Sequence, residues 1–166
     1  MDPEYLKNKA TSSGLVTDYR DWQIPLGRRF RSLKLWLVLR VYGIEKLQEY
    51  LRHHIALSEY LHNHFSSQDN FEIVAPRVSS LVCLRYRPKD GSWDLEKENR
   101  FNQLLLENIN NSGVMYLSHT VLNQKYTLRV AVCGSFTNQQ HVDFAISTIE
   151  DQLSKLLANF DKEYQP

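Results

Sequence analysis

Cysteine is scarce in this sequence: Cys83 and Cys133 are the only two among 166 residues. Both lie in apolar runs of strand character, where a free thiol packs as a small hydrophobe, and neither has a second cysteine beside it. That argues against a disulfide framework and a cysteine-based zinc site, and makes a reducing compartment, the cytoplasm, the natural expectation. Charge of one sign is missing as well. Twenty Lys plus Arg stand against nineteen Asp plus Glu, so no global field steers the chain onto nucleic acid or anionic lipid. Long hydrophobic runs are also absent, because the longest, Leu35 to Leu39, falls far short of the roughly 20 residues that span a bilayer. The opening residues MDPEYLKNKA are polar and lack the apolar segment of a signal peptide. Neither a Gly-rich phosphate loop nor a G-x-S-x-G elbow occurs.

What is present is the composition of a packed domain, 42% hydrophobic and 23% charged. Residues 1 to 24 hold Pro3 and the TSSG turn but no apolar stripe, so their order should depend on a partner. From Ser32 to Tyr42 the chain is apolar at almost every position except Lys34 and Arg40, which predicts a short helix buried nearly all round and ended by Gly43. A second helix places Leu47, Leu51, Ile55, Leu61 and Phe65 near one stripe. Strands are expected over 71–75 and 81–86, then over 114–119 and 126–133. Between the two pairs, Asp94 caps a helix that runs to Asn111 and stops at Gly113. Thr137 and Gln140 form a capping box for a last helix whose stripe is Val142, Ala145, Ile149, Leu153 and Leu156. This order describes an α+β domain with helices on an antiparallel or mixed sheet.

Chemistry is harder to read from these residues alone. His53, His54, His62 and His64 lie on or near the second helix, but no pair has the offset of three or four that helical metal ligands need, so they read as a solvated face and no metal site is expected. Ser118 and His119 are adjacent on a strand and point to opposite faces, which separates a would-be nucleophile from its base. Pattern and spacing leave an α+β domain without an assigned activity.

The stretch DWQIPLGRRFRSLKLW, which ends at Trp36, supplies what the pattern does not. It resembles the segment shared by pyridoxal phosphate-dependent decarboxylases of the aromatic amino acid type, nearest to the plant tyrosine, dopa and tryptophan decarboxylases. The likeness extends outward: DPEYLKN is similar to the tip of the family's mobile catalytic loop, VYGIEKLQEYLRHHI and SLVCLRY to the start of its C-terminal domain, and YTLRVAV to its last core strand. The resemblance implies the C-terminal part of a fold type I pyridoxal phosphate enzyme. Residues 1–43 would be the catalytic loop and a buried terminal helix of the large cofactor domain, and residues 44–166 the small C-terminal α+β domain. The implied activity is that of a carboxy-lyase converting tyrosine, dopa, tryptophan or phenylalanine to its arylalkylamine, as a cytoplasmic homodimer without membrane or nucleic acid. The alternatives are an aromatic aldehyde synthase of the same family and a non-catalytic truncated chain.

The same resemblance implies roles for a few residues. The lysine that binds pyridoxal 5'-phosphate covalently, and most other cofactor contacts, would lie upstream of Met1, and neither Lys7 nor Lys9 replaces it. Tyr5 matches the loop tyrosine that supports protonation of the substrate carbon after carbon dioxide leaves; aldehyde-forming members generally carry phenylalanine there. Gly27 matches a position beside the substrate side chain, where glycine leaves room for a phenol, catechol or indole, and it also suits a turn after Pro25. Arg28, Arg29 and Arg31 read as structural clamps between loop, helix and dimer partner, through pairs with carboxylates and carbonyls.

Overall fold

Four short strands, β1 (Phe71–Ile73), β2 (Leu81–Tyr86), β3 (Ser118–Leu122) and β4 (Lys125–Ala131), pair antiparallel in the order β1-β2-β4-β3. The computed structural model that shows this describes residues 9–22 and 29–163. Period-two alternation sets the faces: Val82 and Leu84 stand opposite Val130 and Leu128, and all four enter one apolar core. The described helices are the short α1 (Lys9–Ser12), then α2 (Arg31–Ser66), α3 (Leu95–Asn111) and α4 (Gln139–Glu163), with a 3-10 turn at Tyr19–Trp22.

The chain divides into two units, Met1–Ile44 and Glu45–Pro166. The division falls beside Gly43, where α2 loses its helical dihedrals at φ 72° and ψ 169°, a conformation that almost only glycine adopts. In the second unit, Leu57, Leu61 and Phe65 of α2 meet the sheet core together with Phe101 of α3 and Phe160 of α4. The buried face of α2 is therefore His54, Leu57, Ser58, Leu61 and Phe65. Leu51, expected on that stripe, is exposed. A stripe drawn through Leu51 and Ile55 is turned by about one residue from the face that packs, because Ser58 hides its hydroxyl on the Ile55 and Ser79 carbonyls and fits a contact that looked polar.

In the first unit, the helical residues 31–42 are exposed throughout. This corrects the expectation of a helix buried nearly all round. Its composition asks for cover on every side, and the described residues do not provide that cover. Two other expectations change, one at the sheet and one at the start of α4. The third strand runs over 118–122 rather than 114–119, because Asn110 of α3 takes both backbone groups of Leu117, N–H at 2.8 Å and carbonyl at 3.1 Å, away from any ladder. The strand then continues into a two-residue turn at Asn123 and Gln124, both with positive φ, whose twist matches that of a hairpin. At α4 the cap is Asn138, whose Oδ1 accepts from the His141 N–H at 3.3 Å; Thr137 instead closes the preceding turn by donating its N–H to the Gly134 carbonyl at 2.9 Å. Asp94 caps α3 as expected, accepting from the Lys97 N–H at 2.7 Å.

Candidate functional site

The residues singled out at the N-terminal end fall unevenly on the described chain. Tyr5, Gly27 and Arg28 lie outside the described residues. Arg29 and Arg31 stand at the start of α2, both exposed, where the Arg31 N–H donates to the Arg29 carbonyl at 2.8 Å. Among the described residues, neither guanidinium has an ion pair. Cations at a helix N-terminus oppose the macrodipole, so Arg29, Arg31 and Lys34 sit where their charges are disfavoured unless an anion joins them. Beside them Phe30, Ser32, Leu33 and Trp36 line a small, mainly apolar pocket. One turn further on, the Arg40 guanidinium lies 5.9 Å from the Trp36 ring. This end of α2 thus offers apolar surface next to unpaired guanidinium groups, which suits a covering protein segment that brings carboxylates.

An open pocket is bounded by Glu96, Asn99, Arg100 and Gln103 of α3 with Val121 and Tyr126 of the β3–β4 hairpin. His119 is stacked on the Tyr126 ring at 4.7 Å and 8°, an arrangement that uses the imidazole as a packing surface. Burial first, and the Glu107 charge second, push the Tyr126 phenol above its ordinary pKa, so it stays neutral. Among the described residues no group of three His, Cys, Asp or Glu side chains could hold a metal ion, and no helix is long and apolar enough to cross a membrane.

The histidines form only part of the solvated face expected of them, since His53 is exposed and His62 and His64 are half-buried. His54 is buried, and His53 Nε2 lies 3.1 Å from the Thr137 carbonyl. His64 Nε2 lies 2.7 Å from Glu150 Oε1, which also accepts from Gln68 Nε2 at 2.8 Å, so this cluster ties α2 to α4. Burial works to raise the Glu150 pKa, but the hydrogen bonds from His64 and Gln68 and the His64 charge outweigh it, and the carboxyl ends below its ordinary value. A lowered carboxyl pKa contributes stability above the unfolded-state value, about 4.3, and loses it as pH falls through the lower folded value. Glu150→Gln should therefore lower the melting midpoint by a few degrees near neutrality, as expected of a half-exposed pair worth about 1 kcal/mol or less. The difference from wild type should shrink as melts are taken to acid below the unfolded-state value, and vanish below the lower folded one.

The cysteines also separate. Cys83 is buried in β2, whereas Cys133 lies beyond the end of β4 and is exposed, because the strand stops at Ala131. Both are free thiols.

Comparison with known proteins gives this geometry a context. The pyridoxal-dependent decarboxylase conserved domain matches residues 1–87. Tryptophan decarboxylase 2 of Oryza sativa subsp. japonica is 48% identical over 156 residues, which are 94% of this chain and 31% of that protein. Phenylacetaldehyde synthase of Arabidopsis thaliana is 50% identical over 157 residues, again 94% of this chain and 31% of the relative. Among solved structures, that of Oryza sativa TDC with PLP and tryptamine superposes with a TM-score of 0.77 at 40% identity, covering 94% of this chain and 32% of that one. The chain therefore spans about a third of the length of the relatives it matches.

Proposed function

Because this chain belongs to the pyridoxal-dependent decarboxylase family, we propose that it is the C-terminal part of an enzyme that decarboxylates aromatic L-amino acids, tyrosine, dopa, tryptophan or phenylalanine, to arylalkylamines. The observation that carries this reading is the 48% identity to a tryptophan decarboxylase across 94% of the chain. In this reading residues 1–43 belong to the large cofactor domain and residues 44–166 form the small one. The parent works as a cytoplasmic homodimer, Tyr5 acts at the substrate carbon, Gly27 lines the side-chain pocket, and Arg28, Arg29 and Arg31 clamp the neighbouring segments. The exposed apolar helix and the Arg29 and Arg31 side chains, which have no ion pair among the described residues, support it, since both call for cover that the rest of a longer protein or its partner subunit would bring.

Covalent binding of pyridoxal phosphate takes a lysine in a site that favours the neutral amine. The six lysines whose side chains are described do not form one. Lys89 pairs with Asp69, Lys125 with Glu72 and Lys155 with Asp151, Lys97 lies 4.8 Å over the Trp93 ring, and Lys34 and Lys46 are exposed. The groups that hold the cofactor are assigned accordingly to the remainder of the parent. The 166-residue chain mixed with pyridoxal phosphate should give no visible absorbance band that survives dialysis and responds to amino acid; such a band would remove the assignment.

The test of the activity uses the full-length parent, found by reading the coding sequence upstream of Met1. Incubation with each of the four aromatic amino acids should release carbon dioxide and the matching amine from at least one. Absence of turnover on all four would sink the proposal. A second reading, aromatic aldehyde synthesis, is favoured by the 50% identity to a phenylacetaldehyde synthase, and the same assay separates the two by product.

A further inference from the structure

The clearest group left without a role is the His54 imidazole, which is 3% exposed and has an oxygen acceptor at each ring nitrogen. Nδ1 lies 2.7 Å from the Tyr50 carbonyl, and Nε2 lies 2.9 Å from the Gly134 carbonyl. A carbonyl oxygen only accepts, whereas a neutral imidazole has one N–H and one lone pair. In either neutral tautomer one ring lone pair therefore faces a carbonyl lone pair at hydrogen-bond distance, out of reach of water, an arrangement that is expensive in a buried place. Only the ring with hydrogen on both nitrogens makes two bonds. We infer that His54 is doubly protonated in the folded chain and serves as a proton-dependent pin that holds the loop between β4 and α4 against α2.

The surroundings bear on this from both sides. Burial opposes the charge, while two charge-assisted bonds favour it. On α2 the titratable neighbours are Tyr50, with its ring 4.3 Å away, and His53 at 5.5 Å. The loop brings the Cys133 thiol. The start of α4 brings His141, bonded to Asn138 Oδ1 at 2.8 Å, and Asp143, bonded to Gln139 Nε2 at 3.1 Å. Among the described residues no carboxylate forms an ion pair with His54, so carbonyl dipoles hold its proton.

The loop is built for this attachment. Tyr50 donates its hydroxyl to the Cys133 carbonyl at 2.8 Å, so that α2 meets the carbonyls of Cys133, Gly134 and Thr137 with three side chains from a single turn. Gly134 cannot be replaced without a shift, since a Cβ there would come within 2.6 Å of Thr137 Oγ1. The tight turn aims the Gly134 carbonyl, and His54 receives it. The neutral ring keeps one of its two bonds and turns a lone pair on the other carbonyl, so the attachment of α2 to the loop is complete on the acid side of the transition and weakened on the alkaline side, where the Tyr50 bond to the Cys133 carbonyl remains.

Long-range proton–nitrogen correlation spectra of the nitrogen-15-labelled 166-residue chain read the state of the ring directly. At pH 6 both His54 nitrogens should carry hydrogen. On raising the pH, loss of one N–H should coincide with a step in the amide shifts of residues 134–137, at a shared midpoint. His53→Gln should keep that step, and His54→Gln should abolish it. A single neutral tautomer at pH 6 in the folded chain would overturn the inference, as would loop shifts that ignore the loss of the ring proton. If His54→Gln does not fold, the wild-type spectra decide alone.

Discussion

Tyr5→Phe in the full-length parent is expected to move the product from amine toward aldehyde. When the substrate loses carbon dioxide, its α-carbon is left with an electron pair, and the outcome depends on what reaches it first. A proton gives the amine. Dioxygen, taken up with water, gives aldehyde, ammonia and hydrogen peroxide, the two electrons passing to oxygen. In the role proposed for it, Tyr5 supplies that proton from its phenol, a group with a reference pKa of about 10 that can act as a general acid. Phenylalanine keeps the ring and its packing and removes only the donor. Carbon dioxide release should then persist while amine yield falls by about 10²-fold or more, the usual scale of a lost general acid. Measured together, amine, aldehyde, peroxide and oxygen uptake distinguish the outcomes. Undiminished amine without peroxide would take Tyr5 out of the mechanism.

Glu98→Gln should remove a large share of the stability of the second unit. Arg85 of β2 is wholly buried, and its Nη2 donates to Glu98 Oε2 of α3 at 2.6 Å. Burial lowers the Arg85 pKa, against which the Glu98 and Glu72 charges act. The same α3 turn sends Asn102 to the next strand residue: Tyr86 donates its N–H to Asn102 Oδ1 at 2.7 Å, and Asn102 Nδ2 donates to the Tyr86 carbonyl at 2.9 Å. Removing one carboxylate charge leaves a guanidinium buried without its counter-charge, a loss of about 3–5 kcal/mol, set against a total domain stability of roughly 5–15 kcal/mol. Urea melts followed by circular dichroism should show the midpoint fall by roughly a fifth or more. Replacing Arg85 and Glu98 together by Met and Leu should recover much of it, whereas a single-variant loss under 1 kcal/mol would show that the pair is solvated.

Much of this fold was legible in the chain because its elements obey local rules. The apolar run LVCLRY marked β2 to the residue, Asp94 marked the start of α3, and the stripe from Val142 to Leu156 marked α4. Arg85 was a signal that went unused: a lone cation in an apolar strand needs a buried carboxylate, and Glu98 waits on the next helix. The likeness in DWQIPLGRRFRSLKLW pointed to the family without any structure, since a long shared wording reports descent whatever surrounds it.

Tertiary contact decided the rest. Asn110 ended the strand expected at 114 by taking the backbone groups of Leu117, a bond between elements that no local pattern records. His54 resembles its neighbours in sequence, but it is buried because the Gly134 turn folds back over α2, and its chemistry follows from two carbonyls, one of them 80 positions away. The helix from Arg31 shows the converse. Its composition determined that it must be covered, but composition carries no information on what covers it, because burial belongs to a pair of surfaces and a sequence describes only one of them.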